Sequence, residues 1–431
     1  MLALHTVLMG LSVLSILTQN VNGGCSMAIN DPAPLILTSF GSKHLLSAAP
    51  GQLLRENYES VQMYCAGGFN GVHNRRGYYD PKEFNSEETT KTFTCRSDDF
   101  VEDIENVPQM RVQSVRCRGT MVSQMFESIK SLPDCGDHMT LVVGQDFGAI
   151  GSIKSAGICY DIVGSELKYV SYTACPSKNR IIEKMQPGEL NGLGLDINVA
   201  YTKSLFKAVS PTAIGAYLEH DKQLKQLLGG VTFEHTSLVQ DEAIRSQLAG
   251  YEDMLSVVWL RTLRTGNWRN WQYALHAASE PAGSKFDIRL GVSGQVALPQ
   301  MGGCNASRVL SIDLVNGSTL SVPAHIWVHV RDLHPTGKPQ DEFVVIGHNS
   351  PFFKGEQMSD FCPTMCDQVV WMKNSLFGSL LDYPAYGLVQ CCRVQDVAQK
   401  LDNFPEGPFG GVVASSTAIP PPEESGSVAS A

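Results

Sequence analysis

The sequence predicts an α+β chain, mostly antiparallel strands with a few helices inserted centrally, cross-linked by disulfides. Three observations carry this. Short strand candidates, two of them alternating apolar and polar residues, recur between residues 60 and 175 and again after residue 284. The segments with helical periodicity lie between those two runs. Twelve cysteines, an even number, follow an apolar N-terminal stretch.

Residues 1–24 hold an apolar run from Leu2 to Leu17 and end in small residues. That is the pattern of a secretory signal peptide, and it is too short for a spanning helix. No later run reaches the ~20 apolar residues a membrane helix needs. The expectation is a secreted, extracellular protein without a membrane partner. In an oxidising compartment twelve cysteines allow up to six disulfides. "CPTMC" (Cys362, Cys366) and the vicinal Cys391-Cys392 are read as part of that set, because the spacings of a tetrahedral zinc site are missing. Asn305 and Asn316 head glycosylation sequons in turn-rich sequence. The net charge of −10 argues against tight non-specific nucleic-acid binding, while leaving room for a local basic groove.

Along the chain, residues 25–135 read as an N-terminal β-rich region. Within it "SVQMYCAGGF" and "KTFTCRSDDF" are strand candidates, and "NGVHNRRGYYDPKEFNSEETT" between them reads as a polar loop. "MTLVVGQDF", "SAGICYDIV" and "LKYVSYTAC" continue the strands. Residues 211–230 predict one helix, closed by Gly229-Gly230. A second is predicted near Asn267–Ala278, where Trp268, Trp271, Leu275 and Ala278 share one face. "KFDIRLGV", "QVALPQ", "RVLSIDLV", "AHIWVHVRDL" and "DEFVVIGH" follow as strands, and residues 410–431 read as a disordered tail. "LNGLGLD" (190–196) lacks a P-loop lysine and reads as a turn; Ser293 lacks the spacing of a serine-hydrolase elbow.

Taken in order, "YCAGGF", "GICYDIV", "QLLGG", "TFEHTSLVQD", "TGNWRNWQ", "FDIRLGVSGQVALP", "VPAHIWVHV" and "EFVVIGHNSPF" make a pattern. Over roughly residues 25–395 it resembles the secreted insect members of the DNA/RNA non-specific endonuclease family. The resemblance implies a ββα-metal (His-Me finger) nuclease-like core with a mixed or antiparallel sheet over residues 136–409, behind a β-rich extension. It also implies a strand histidine as general base, a helical asparagine holding hydrated Mg²⁺, an arginine beside the histidine and a supporting glutamate. On this chain His235 falls in the general-base position and Asp241 matches the pattern. Phe233 and Glu234 stand where arginine and glycine belong, counting from "GNW" puts Leu255 at the metal-ligand position, and Gln272 replaces the glutamate.

Those replacements remove the metal ligand and the cation together, so the expectation is a pseudonuclease that needs no cofactor and acts by binding. Its partners would be DNA or RNA, held by Arg261, Arg264 and Arg269, or an extracellular protein. One alternative is a working Mg²⁺-dependent endonuclease, with Asn267, Asn270 or Asp253 as displaced metal ligand. Another is an extracellular structural glycoprotein. Trp268 and Trp271 read as core residues first and as base-stacking platforms second.

Overall fold

The computed structural model describes residues 24–40, 43–47, 50–75, 81–102, 110–120, 123–128, 131–147, 150–164, 166–175, 180–182, 209–248, 250–279, 286–299, 308–313 and 319–405. The expected leader up to residue 23, the sequons at Asn305 and Asn316, Cys304, "LNGLGLD" and the tail lie outside them. The chain divides into two compact units, Met1–Met121 and Val122–Ala431.

The first unit is a sheet of short strands: β1 (Gly24–Ile29), β2 (Leu35–Phe40), β3 (Lys43–Ser47), β4 (Gly51–Glu56), β5 (Ser60–Tyr64), β6 (Phe69–Arg75), β7 (Lys82–Ser86), β8 (Thr90–Arg96), β9 (Asp99–Glu102) and β10 (Met110–Cys117). Alternation sets its faces: Cys25, Met27 and Ile29 are buried while Gly24 and Ser26 are exposed. They pack with Val61, Met63, Phe69, Phe93, Phe100 and Val115 into one core. Two disulfides, Cys25–Cys95 and Cys65–Cys117, lie inside it. Ser97 and Asp98 join β8 to β9 with positive φ (52° and 68°), the backbone a tight hairpin requires. The polar loop expected at residues 70–90 is largely the hairpin β6–β7, paired from Phe69↔Ser86 to His73↔Lys82. Its outward positions, Asn70, Val72, Glu83 and Asn85, are mostly polar, which hid the period of two.

The second unit rests on an eight-stranded sheet. Its strands are β11 (Gln124–Glu127), β12 (Met139–Asp146), β13 (Ser152–Asp161) and β14 (Glu166–Thr173), then, beyond β15 (Arg180–Ile182), β16 (Phe233–Ser237) and β17 (Ser256–Leu260), β18 (Phe286–Ser293). After the short β19 (Ala297–Leu298), β20 (Arg308–Val309), β21 (Ser311–Asp313) and β22 (Thr319–Ser321) come β23 (His325–Asp332), β24 (Glu342–His348) and β25 (Val389–Cys392). The order is β11-β12-β13-β14-β18-β23-β24-β25, antiparallel throughout. Residues 124–135, read from sequence as N-terminal, belong here: β11 pairs β12, and Cys135 bonds Cys159.

Each face of this sheet is covered. Phe343 and Val345 of β24 point to the main core, which takes in the helices; Val344 and Ile346 point to a second layer with Trp327, Val397, Leu401 and Phe404. The helix expected over 211–230 breaks at Asp221. It forms α1 (Pro211–His220), capped by Ser210, and α2 (Lys222–Leu227), whose Gln223 and Leu224 N–H groups donate to the Asp221 carboxylate. An apolar face alone did not reveal this second N-cap. Asp241, matched in sequence to the family pattern, caps α3 (Glu242–Arg245) and accepts from the Cys175 N–H. The remaining short helices are α4 (Arg261–Leu263), α5 (Arg269–Ser279), α6 (Met358–Phe361), α7 (Val370–Lys373), α8 (Leu376–Leu380) and α9 (Val394–Val397). No helix among the described residues is long and apolar enough to cross a membrane.

The vicinal cysteines form two separate bonds, Cys366–Cys391 and Cys362–Cys392. Successive strand residues point to opposite faces, so Cys391 enters the main core and Cys392 the second layer. The chain is thus an α+β protein, rich in sheet, with five disulfides among its described residues. We predict that iodoacetamide applied to the native, non-reduced protein labels none of these ten cysteines. Any label found by peptide mass mapping should fall on Cys175 or Cys304.

Candidate functional site

β16 and β17 form an antiparallel hairpin, with His235 opposite Val258 and Glu234 opposite Trp259. A helical run follows at once: α4, a widened turn Arg264–Trp268 that leaves helical geometry at Gly266 (φ −101°, ψ −116°), and α5. Strand, strand and helix therefore succeed one another around His235.

Two glycines allow the turn to be so placed. A Cβ on Gly266 would stand 2.2 Å from the Tyr386 carbonyl oxygen. Gly387 has φ +85°, and a Cβ there would meet the Leu263 backbone at 2.5 Å. The two segments touch backbone to backbone, which only glycine permits. Asn267 ties them: its Nδ2 donates to the carbonyls of Gly387 (2.8 Å), Leu380 (3.1 Å) and Leu381 (3.4 Å). Trp268 and Trp271 are fully buried, and with Trp259 they form a chain of rings, edge-to-face from Trp259 to Trp268 and tilted from Trp268 to Trp271, centroids 5.3 Å apart at each step. They are core residues, and no base can stack on them. "GNW" is a structural anchor.

Beside it the charged residues resolve into two groups. Arg264 donates from Nε and Nη2 to Glu234 Oε2, the former at 2.8 Å, and Arg261 Nε lies 3.2 Å from Oε1. One carboxylate is thus shared by two guanidinium groups. Arg269 turns away, its Nε donating to the Tyr273 hydroxyl at 2.9 Å with the cation 5.3 Å from the ring centre. The three-arginine cluster expected from the sequence is a pair plus one.

His235 is half-buried, and the Val209 N–H donates weakly to its Nδ1 at 3.4 Å. With Nδ1 accepting, the neutral ring keeps its proton on Nε2. Burial pushes this imidazole below its ordinary value, against the opposing pull of the Asp253 carboxylate and the Ser256 backbone. Phe233 is a core residue. Leu255, reached by counting back from "GNW", is not on the helix: it lies ahead of β17, buried, its N–H donating to Glu252 and its carbonyl accepting from Leu238. A residue count passed over the second strand of the hairpin. The helical residue that faces β16 is Arg264. Gln272 and Asn270 are half-buried on α5, and the Gln272 Nε2 is sealed from solvent without a protein partner.

Sequence reasoning missed a second buried polar group. His325 and His348 stand opposite one another on β23 and β24, Nδ1 to Nδ1 at 3.1 Å, so one ring donates to the other. His348 Nε2 pairs with Gln390 Oε1 (3.2 Å), and the ring stacks on Phe353, centroids 3.7 Å apart. Two histidines each set among apolar strand residues, "AHIW" and "IGHN", were the available signal. Compared with known proteins, the chain matches no family model, and no curated protein matches it.

Trp268→Ala should destabilise the protein by about 3–5 kcal/mol, the range for emptying a buried aromatic site. Urea unfolding measures it, and a loss under about 1 kcal/mol would contradict the anchor. Burial drives His325 down to about 4 and His348, also repelled by His325, to about 3. An unfolded histidine takes its proton near ~6.5. Below that pH the unfolded chain binds protons that the native pair refuses, so stability falls as pH drops from ~6.5 towards 4 and is constant above. The slope has an upper bound of about 1.4 kcal/mol per pH unit for each histidine. His348→Gln should flatten part of that slope; equal slopes in denaturant titrations at pH 7 and pH 5 would refute the assignment.

Proposed function

We propose that this chain is a secreted binding protein on a ββα nuclease-like scaffold that does not hydrolyse phosphodiesters. The observation carrying this reading is the ion pair of Arg264 with Glu234 beside His235. In a ββα-metal nuclease the helix after the hairpin offers a neutral oxygen donor to Mg²⁺, and the strand offers an arginine to the phosphate. Here the helix offers a guanidinium and the strand a carboxylate, so the charges are exchanged.

The donor set does not suit Mg²⁺, which needs oxygen ligands in near-octahedral order. Glu234 is neutralised by two arginines. Asn267 is buried and spends its amide on three carbonyls. Leu255 has no side-chain oxygen. His235 alone, with Nδ1 occupied and Phe233 in place of a cation, lacks the charge stabilisation that phosphate-ester cleavage requires.

What remains is a cationic edge. Two guanidinium groups on one carboxylate leave a net charge of about +1, with Arg261 exposed. That edge suits weak, salt-sensitive contact with nucleic-acid phosphate. A protein surface is the competing partner.

A plasmid-nicking assay with Mg²⁺ and Mn²⁺ should show no cleavage above buffer; cleavage abolished by His235→Ala would overturn the proposal in favour of an active endonuclease. In gel shifts across a salt series, Glu234→Gln should raise affinity for single- and double-stranded DNA about tenfold at low salt by releasing both arginines. Arg261→Ala should lower it. No shift with either protein would leave an extracellular structural glycoprotein as the better description.

A further inference from the structure

The outer face of the first unit carries a polar cavity unrelated to His235. β7, β6, β10 and β1 lie side by side there. Their register sets Asn85 against Asn70 and Asn70 against Arg116. Asn30 completes the row: it follows Ile29, the partner of Val115 in β10, and donates its N–H to the Val115 carbonyl at 3.0 Å. Two residues along, Glu83 and Ser114 flank Val72 on the same face. The intervening Ile29, Val115 and Cys117 point the other way, into the core.

These six polar side chains line a cavity of about 250 Å³. Among the described residues none of the six has a hydrogen-bond or ion-pair partner for its side chain. Nearby arginines behave otherwise: Arg111 pairs with Asp99 (2.9 Å) and Arg118 with Glu87 (3.6 Å). The Asn70 Oδ1 is sealed from solvent with no donor. An unsatisfied buried oxygen is uncommon in folded proteins and calls for an explanation.

We propose that this face is a carbohydrate-binding site. Three amides, a hydroxyl, a guanidinium and a carboxylate supply donors and acceptors in mixed order, which suits ligand hydroxyls that both donate and accept. Planar amide and guanidinium groups match pairs of adjacent hydroxyls. Arg116 and Glu83 cancel in charge, so the site selects a neutral sugar over a phosphate or sulfate. Its volume lies below the ~300–1,000 Å³ of pockets for drug-sized ligands, which points to one or two sugar rings at the end or edge of a longer glycan.

The test uses the full chain carrying Asn305→Gln and Asn316→Gln, so that sugars of its own cannot fill the site. It is applied to an array of immobilised neutral oligosaccharides, with free glucose, mannose, galactose and N-acetylglucosamine as competitors. The expected result is retention by a subset of glycans, reversed by a free sugar. Asn70→Ala and Arg116→Ala should each weaken binding about tenfold, and Ser114→Trp should abolish it by filling the cavity. Arg118→Ala, paired with Glu87, should leave binding unchanged, and unaltered melting temperatures would show that the variants fold. Failure to retain any oligosaccharide would overturn the proposal. So would equal binding by Asn70→Ala and Ser114→Trp, or binding only to sulfated chains that salt removes.

Discussion

Asn267 and the two glycines beside it in space govern the larger unit. The amide reaches three carbonyls on a segment more than a hundred residues away, and it can do so only because Gly266 and Gly387 let the backbones touch. Of those carbonyls, that of Gly387 lies in the buried contact and would otherwise need a partner. The contact fixes the start of α5, and so aligns Trp268 and Trp271 under the sheet and turns Arg264 toward Glu234. A side chain that looks from sequence like a fallback metal ligand is a structural donor.

This division of labour explains the chemistry of the region. Residues that hold the hairpin against the helix are apolar or bonded to backbone: Phe233, Leu255, Asn267 and the tryptophans. Of the charged residues there, the exposed Arg261 is tied to Glu234. His235 is half-buried, and its Nδ1 accepts only a weak bond from the Val209 N–H.

Much of the architecture was legible in the sequence because period-two alternation is local. β5 and β8 coincide with alternating stretches, and β12, β13, β14, β18, β23 and β24 with the other apolar strand candidates. The tryptophans read as core from their spacing alone. Less legible were features that depend on partners distant in the chain. The β6–β7 hairpin hid behind polar outward residues, the break at Asp221 is a capping event inside an apolar pattern, and the Arg264–Glu234 pair spans thirty residues. Counting without a gap carried the metal position to Leu255, since a residue count does not see where a strand ends. The His325–His348 pair exists only once β23 and β24 are in register.

The two bonds from Cys391 and Cys392 have a mechanical consequence. β25 is a four-residue strand at the sheet's edge, where unpaired backbone groups invite another chain to add on. Anchored through one face by Cys366 and through the other by Cys362, it can neither peel away nor tilt to accept a newcomer. Reduction would loosen both fastenings at once and turn a closed margin into an adhesive one.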